Sequence, residues 1–216
     1  MSSNSSLPTC ATCKTLACYS GLKEKAPENC PMVIETDLLK RTINDYQEKM
    51  VSTVACCSAR VESEGYCNWT RVEEIINFAH SADYKRIGLA YCIGLRQEAE
   101  KFNEIMLKNG FEMVSVVCKT SATPKETIGI DDSEKVKPGH FEAMCNPVAQ
   151  AKLLNKAKTD LKILLGLCVG HDSLFLHYAE APVTVLAVKD RVLAHNPLGA
   201  IYASHYFNRR FNRNCF

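Results

Sequence analysis

The chain has 216 residues, of which 46% are hydrophobic and 23% charged, enough apolar content to pack a core. Its 26 basic and 24 acidic residues leave a net charge of +2, which argues against a protein that works mainly through nucleic-acid phosphates. No apolar run approaches the ~20 residues of a membrane span, and the polar start Met1-Ser2-Ser3-Asn4-Ser5-Ser6 has no secretory character, so a cytoplasmic protein is expected.

The elements fall into two regions, 1–82 and 83–216. The first opens with a polar, cysteine-bearing segment up to Pro31. A helix is predicted over 36–51, with Leu38, Leu39, Ile43, Tyr46 and Met50 on one stripe. A second helix is expected around Cys56, Cys57 and Cys67. A third runs over 70–81, where Thr70 and Glu73 form a capping-box pattern.

The second region alternates strand and helix signals. Strands are predicted over 85–92, 111–118, 161–168 and 182–188, and helices over 95–108, 147–158, 172–178 and 198–206. The polar stretch 120–140 reads as loop. This alternation predicts an α/β fold: a Rossmann-like three-layer domain with a mostly parallel sheet, carrying an N-terminal cysteine-rich, helical, metal-binding segment.

The anomaly is 12 cysteines. In a reducing compartment each is a buried small hydrophobe, a metal ligand or a nucleophile. Three strands end on one: Cys92, Cys118 and Cys168. Cys145 precedes the helix that leads into the third strand. In a parallel sheet these positions all lie at the carboxyl edge, where ligands of open α/β sheets bind. Two echoes reinforce the pattern. Cys92-Ile93-Gly94 and Cys168-Val169-Gly170 each place a glycine just beyond a strand, for a tight turn and close ligand approach. Cys145-Asn146-Pro147 and His195-Asn196-Pro197 each place a Cys or His before a helix start. Gly170-His171-Asp172-Ser173 is a third such start, with Asp172 or Ser173 expected as the cap.

A single cysteine at a strand end is most often just buried; three together with Cys145 point to a shared metal or cluster site. The N-terminal set, Cys10-x2-Cys13-x4-Cys18-x11-Cys30, gathers four thiols in a segment with little core of its own. Four thiolates suit tetrahedral zinc or an iron–sulfur cluster, and the spacing does not choose between them. Cys56, Cys57, Cys67 and Cys215 read as structural. The sequon Asn68-Trp69-Thr70 reads as chance. His171, His195 and Lys189 are the accessory candidates. Lys189, Asp190 and Arg191 either hold an anionic substrate or form a solvated loop. The tail from His205 to Phe211 is basic and aromatic, and docking on the body is preferred to RNA contact.

Several stretches resemble a family of uncharacterised prokaryotic-type proteins labelled only as metal-binding, with a domain of unknown function. They are the Cys10/Cys13/Cys18/Cys30 cluster, Arg71-Val72-Glu73-Glu74, Tyr91-Cys92-Ile93-Gly94-Leu95-Arg96, Cys118-Lys119 and Cys145-Asn146-Pro147-Val148-Ala149-Gln150-Ala151. The closest are 166–175 (GLCVGHDSLF) and 188–197 (VKDRVLAHNP). The resemblance implies no established activity. It implies an anaerobic setting, which favours iron–sulfur chemistry over zinc. Ser121 and Ala122 stand where a glycine-rich turn is expected, which makes Cys118 the least secure of the four edge ligands.

The expected function is a two-site metalloprotein, iron–sulfur favoured and zinc the alternative. Redox or sulfur-transfer chemistry would act on a small molecule, or with an electron donor. Cys145, His171, His195 and Lys189 are the catalytic candidates. Cys92, Cys118, Cys145 and Cys168 are the cofactor ligands, and Cys10, Cys13, Cys18 and Cys30 the second metal set. The alternatives are a metal or redox sensor or carrier without turnover, and a metal-free thiol enzyme using Cys145. Neither a G-x-G-x-x-G nor a Walker A sequence occurs, which disfavours nicotinamide and ATP enzymes.

Overall fold

The computed structural model describes residues 7–211, so Cys215 lies outside the described residues. The chain forms two compact units, Met1–Glu64 and Gly65–Phe216. In the first, short helices α1 (Ala17–Ser20) and α2 (Pro31–Ile34) precede α3 (Thr36–Asp45) and α4 (Lys49–Gly65). The single helix expected over 36–51 is therefore two. Around Asn44 and Asp45, both poor helix formers, the chain tightens: Tyr46, Gln47 and Glu48 donate to the carbonyls of Ile43, Asn44 and Asp45. The predicted stripe of Leu38, Leu39, Ile43, Tyr46 and Met50 is exposed rather than core. Of the cysteines read as structural, Cys57 is buried, while Cys56 and Cys67 are exposed.

The second unit carries α5 (Arg71–Ser81), β1 (Arg86–Tyr91), α6 (Arg96–Lys108), β2 (Glu112–Val117), α7 (Pro147–Lys156), β3 (Leu161–Leu167), α8 (His171–Tyr178), β4 (Val183–Val188), α9 (Leu198–Tyr202) and α10 (Ser204–Phe211). The Thr70 capping box forms as expected: Thr70 Oγ1 accepts from Glu73 N, and Glu73 Oε2 accepts from Thr70 N. Helix α5, grouped with the first region in the sequence reading, belongs to this unit because Ile75 and Ala79 pack into the core over the sheet.

The sheet is all parallel, in the order β2-β1-β3-β4. One face is covered by α5 and α6, through Ile75, Ala99, Phe102 and Met106 on Ile87, Leu89, Ile163 and Leu165. The other is covered by α7 and α8, through Ala151, Leu154 and Phe175 on Ala90 and Leu164. Both faces of β1 and β3 are therefore buried, which explains their continuous apolar runs. From β1 the chain moves outward to β2, then crosses to β3 on the opposite side. The order reverses between β1 and β3, and such a switch point opens a crevice at the carboxyl ends of the strands.

Near its end β3 changes register, between Leu164 and Leu165 and again between Leu165 and Leu167. Gly166 supplies the required backbone, with φ +69. A Cβ there would lie 2.1 Å from Leu95 Cδ1. The bulge sets the path of the next two residues, the second of which is Cys168.

Candidate functional site

The strand-end cysteines continue the sheet ladder. Cys92 N donates to Leu165 O (3.0 Å) and Cys118 N to Tyr91 O (2.9 Å). Cys118 O accepts from Asn146 N (2.8 Å), which ties the start of α7 to the end of β2. Asn146 Oδ1 caps α7 by accepting from Ala149 N (2.8 Å), and Pro147 takes the first helical position. Cys145 thus reaches the same edge as the strand ends. The long connection that delivers it is braced by ion pairs of Lys135 with Asp132 and Glu126 and of Lys125 with Glu142. Its Ala122 takes a left-handed φ of +48, the conformation that a glycine-rich turn would have supplied more easily. Cys168 O accepts from His171 N (3.0 Å) and Asp172 N (3.3 Å). The cap of α8 is Gly170, at φ +83, so neither Asp172 nor Ser173 plays the predicted capping role.

Cys92, Cys118, Cys145 and Cys168 line one small cavity together with Pro147, Gln150, Leu167 and His171. Cys92 and Cys118 are buried, and Cys145 and Cys168 half-buried. Cys118 sits between two others and hydrogen-bonds to both, and its sulfur also accepts from Ile93 N (3.4 Å). The Cys118 bond is the main cause that lowers the Cys92 thiol to about 5, helped by the Gly94 N–H and the Lys189 ammonium. Cys145 is likewise lowered to about 5, first by Cys118, then by Lys119 and His171. Cys118 itself is raised, because ionising it would break both bonds and place like charges together.

Cations surround this group. Arg191 donates to Cys168 Sγ (3.4 Å), and that contact raises the guanidinium further into its charged range. Lys189 stands beside Cys92, and Lys119, which also donates to Ala143 O, beside Cys145. Of the loop Lys189-Asp190-Arg191, both cations thus face thiols. Asp190 instead folds the loop, accepting from Val192 N and Leu193 N (both 2.9 Å). His195 is not among the cavity residues. Its Nδ1 accepts from Asp190 N (3.1 Å) and its backbone takes a left-handed φ of +64, so it shapes the loop after β4. Neither the pairing of Lys119 with Cys145 nor the burial of Gln150 was read from sequence. Gln150 could have been found, since it shares one helical stripe with Pro147, Ala151 and Leu154.

In the first unit, Cys10, Cys13, Cys18 and Cys30 line a single cavity of about 260 Å3. Cys10 opens a tight turn over Cys10–Thr12, and Cys13 N donates back to Cys10 O (3.1 Å). Leu16, left-handed at φ +45, turns the chain into α1, which carries Cys18. Cys30 caps α2 ahead of Pro31, and Asn29 Nδ2 donates to Thr9 Oγ1 (2.7 Å), joining the two ends of the segment. Cys13 lies below the ordinary thiol range because Thr15 Oγ1 (3.4 Å) hydrogen-bonds to it.

Among the described residues, no group of three or more His, Cys, Asp and Glu side chains is already spaced to hold a metal ion. The donor sets nevertheless fit a thiophilic group. Each is four sulfurs without a carboxylate, the composition that selects zinc or iron–sulfur units over magnesium or calcium. Lys119, Lys189 and Arg191 would offset the negative charge that such a centre carries.

No solved structure matches the chain. An uncharacterized protein of Methanocaldococcus jannaschii, MJ0455, is 41% identical over 200 residues, covering 93% of this chain and 96% of that one. The profile of a family described as "Protein of unknown function (DUF1847)" matches residues 30–186, a span that includes Cys92, Cys118, Cys145 and Cys168, and the chain belongs to that family.

Proposed function

We propose that this protein is a thiolate metalloprotein, with one centre held by Cys92, Cys118, Cys145 and Cys168 at the sheet edge and a second by Cys10, Cys13, Cys18 and Cys30. The observation that carries the reading is the convergence of four cysteines, from four separate elements, on one cavity at the switch point of a parallel sheet. The sheet would then be a Rossmann-like platform for the first centre. Iron–sulfur occupancy is preferred and zinc is the alternative. Such a group supplies either electron transfer or Lewis-acid polarisation of a bound small molecule. The chain's own residues do the rest. Arg191 and Lys189 hold the thiolates of Cys168 and Cys92. Lys119 and His171 hold Cys145, and His171 is the cavity side chain suited to exchanging a proton with a small substrate. The N-terminal centre relays electrons or staples its segment.

Isolation without oxygen, followed by iron, zinc and acid-labile sulfide analysis, tests the reading. Cys92→Ser and Cys168→Ser are expected to lose metal from the edge centre alone, and Cys13→Ser from the N-terminal centre alone. Equal loss in all three variants sinks the two-site assignment, and no bound metal in the intact protein sinks the whole reading.

A metal-free thiol enzyme is the second reading. It is favoured by Cys145, which is half-exposed ahead of α7 with Lys119 and His171 beside it. Selective alkylation of Cys145 in folded protein whose thiol groups bind no metal supports this reading, and equal alkylation of Cys56 and Cys67 removes it.

A further inference from the structure

The described cysteines are all free thiols, and three of those at the sheet edge touch one another. Cys118 is the middle one. Its main chain is fixed on both sides: Cys118 N donates to Tyr91 O (2.9 Å), and Cys118 O accepts from Asn146 N (2.8 Å). The first bond sets it beside the end of β1, and the second beside the residue that follows Cys145. Its side chain hydrogen-bonds to both Cys92 and Cys145. Two thiols held this close by main-chain bonds can close a disulfide with side-chain movement alone.

Exposure separates the four edge thiols. Cys92 and Cys118 are buried, at 7% and 3%. Cys168 is half-exposed, but its sulfur is held by Arg191 (3.4 Å). Cys145 combines exposure with contact to Cys118, and Lys119 and His171 stand beside it. Size selects the reagent. The void that these thiols share is about 10 Å3, room for one group the size of a water molecule. A hydroperoxide leaves a single oxygen on the sulfur that it meets, whereas a disulfide substrate leaves a whole chain there.

We propose that Cys145 and Cys118 form a thiol pair that reduces a small hydroperoxide. This rests on the metal-free thiol reading above. The Cys145 sulfur attacks the terminal oxygen of the hydroperoxide. The O–O bond breaks, and the other oxygen leaves as water or an alcohol with a proton passed by His171. Cys145 becomes a sulfenic acid. The Cys118 sulfur then attacks Cys145 Sγ. The S–O bond breaks, the Cys118 proton leaves with the hydroxyl as water, and a Cys118–Cys145 disulfide remains. The pair gives up two electrons for each hydroperoxide reduced.

The test treats intact reduced protein, isolated without oxygen, with one equivalent of hydrogen peroxide and maps the products by peptide mass spectrometry. A Cys118–Cys145 disulfide that a dithiol reverses is expected. Cys118→Ser should leave a Cys145 sulfenic acid that a 1,3-dicarbonyl probe labels. Cys145→Ser should slow oxidation of Cys118 at least about tenfold. With oxidised glutathione in place of peroxide, the preference for Cys145 over the exposed Cys56 and Cys67 should fall at least about tenfold. A disulfide on another pair, or peroxide oxidation spread evenly over Cys56, Cys67 and Cys145, overturns the pair. Equal preference with both reagents overturns the choice of hydroperoxide. If Cys118→Ser does not fold, the wild-type map decides. Cys145 that is selectively alkylated but yields no disulfide refutes the pair alone. Edge cysteines that hold metal in the intact protein, or Cys145 that is not selectively alkylated, refute both the pair and the thiol reading.

Discussion

Gly166→Ala probes how the sheet delivers Cys168 to its place. The added Cβ meets two separate obstacles. Gly166 has φ +69, and a left-handed backbone costs an L-residue about 1–2 kcal/mol. The Cβ would also lie 2.1 Å from Leu95 Cδ1 and 3.2 Å from Leu95 Cγ. Leu95 can swing its methyl away, but it is buried in the core under α6, so the movement costs a further ~1–2 kcal/mol of overpacking. A total loss of about 2–4 kcal/mol is expected by urea unfolding of the reduced, metal-free protein, with the slope unchanged. Gly94→Ala is the control. Its Cβ would find Lys189 Nζ at 3.6 Å and Cys92 Sγ at 3.9 Å, ordinary contacts, and its φ is not positive, so a change within ~0.5 kcal/mol is expected. A Gly166→Ala/Leu95→Ala double variant should show coupling of about 1 kcal/mol or more, since the smaller side chain removes the clash. A Gly166→Ala variant as stable as Gly94→Ala would refute the bulge argument.

Ala122→Gly, at φ +48, is expected to raise stability by about 0.5–1 kcal/mol, read as a higher urea midpoint. Lys162 is buried on β3, where its ammonium makes no hydrogen bond or ion pair among the described residues, and burial lowers its pKa against a smaller opposing effect of the Glu180 charge. The unfolded state therefore holds more protons between the lowered value and the ordinary lysine value of 10.5, so stability rises with pH across that window. Lys162→Met should stabilise by about 1–2 kcal/mol and flatten that rise; a steeper dependence in the variant would count against the assignment. In metal-free protein, alkylation of Cys145 is expected to reach half its limiting rate near pH 5, and Cys118→Ala should move that midpoint upward. An unmoved midpoint would show that Lys119 and His171 alone hold the thiolate.

Much of the edge was legible because backbone periodicity carries it. Apolar runs ending on Cys92, Cys118 and Cys168 imply parallel strands, and parallel strands place their ends together. Asn146-Pro147 marked the start of α7 by capping chemistry that the structure bears out. What stayed hidden depends on side-chain direction. Arg191 reads as a possible anion partner, but nothing in a post-strand loop says that it turns toward Cys168. His195 follows the same helix-start pattern as Cys145, yet the left-handed pair Ala194 and His195 turns it back onto Asp190. The break between α3 and α4 is hard to read because its markers, Asn44 and Asp45, are tolerated inside many helices. Gln150 is hard to read because glutamine on a helix usually faces water, although its neighbours on the stripe all face the core.

The cations around the edge thiols suit the empty site and, on the proposed metal reading, would suit a loaded one. In the metal-free protein Cys118 keeps its S–H between Cys92 and Cys145, the positive charges of Lys189 and Lys119 favour thiolate at those two sulfurs, and Arg191 donates to Cys168 Sγ. Binding a dication with four thiolates would replace that shared proton by metal and leave a net double negative charge on the centre. The same three side chains would then offset that charge without rearrangement. Their placement follows from the fold. Each lies in a segment that leaves the sheet directly after a strand, Lys119 after β2 and Lys189 and Arg191 after β4, so the ladder that positions the sulfurs also positions their counter-charges.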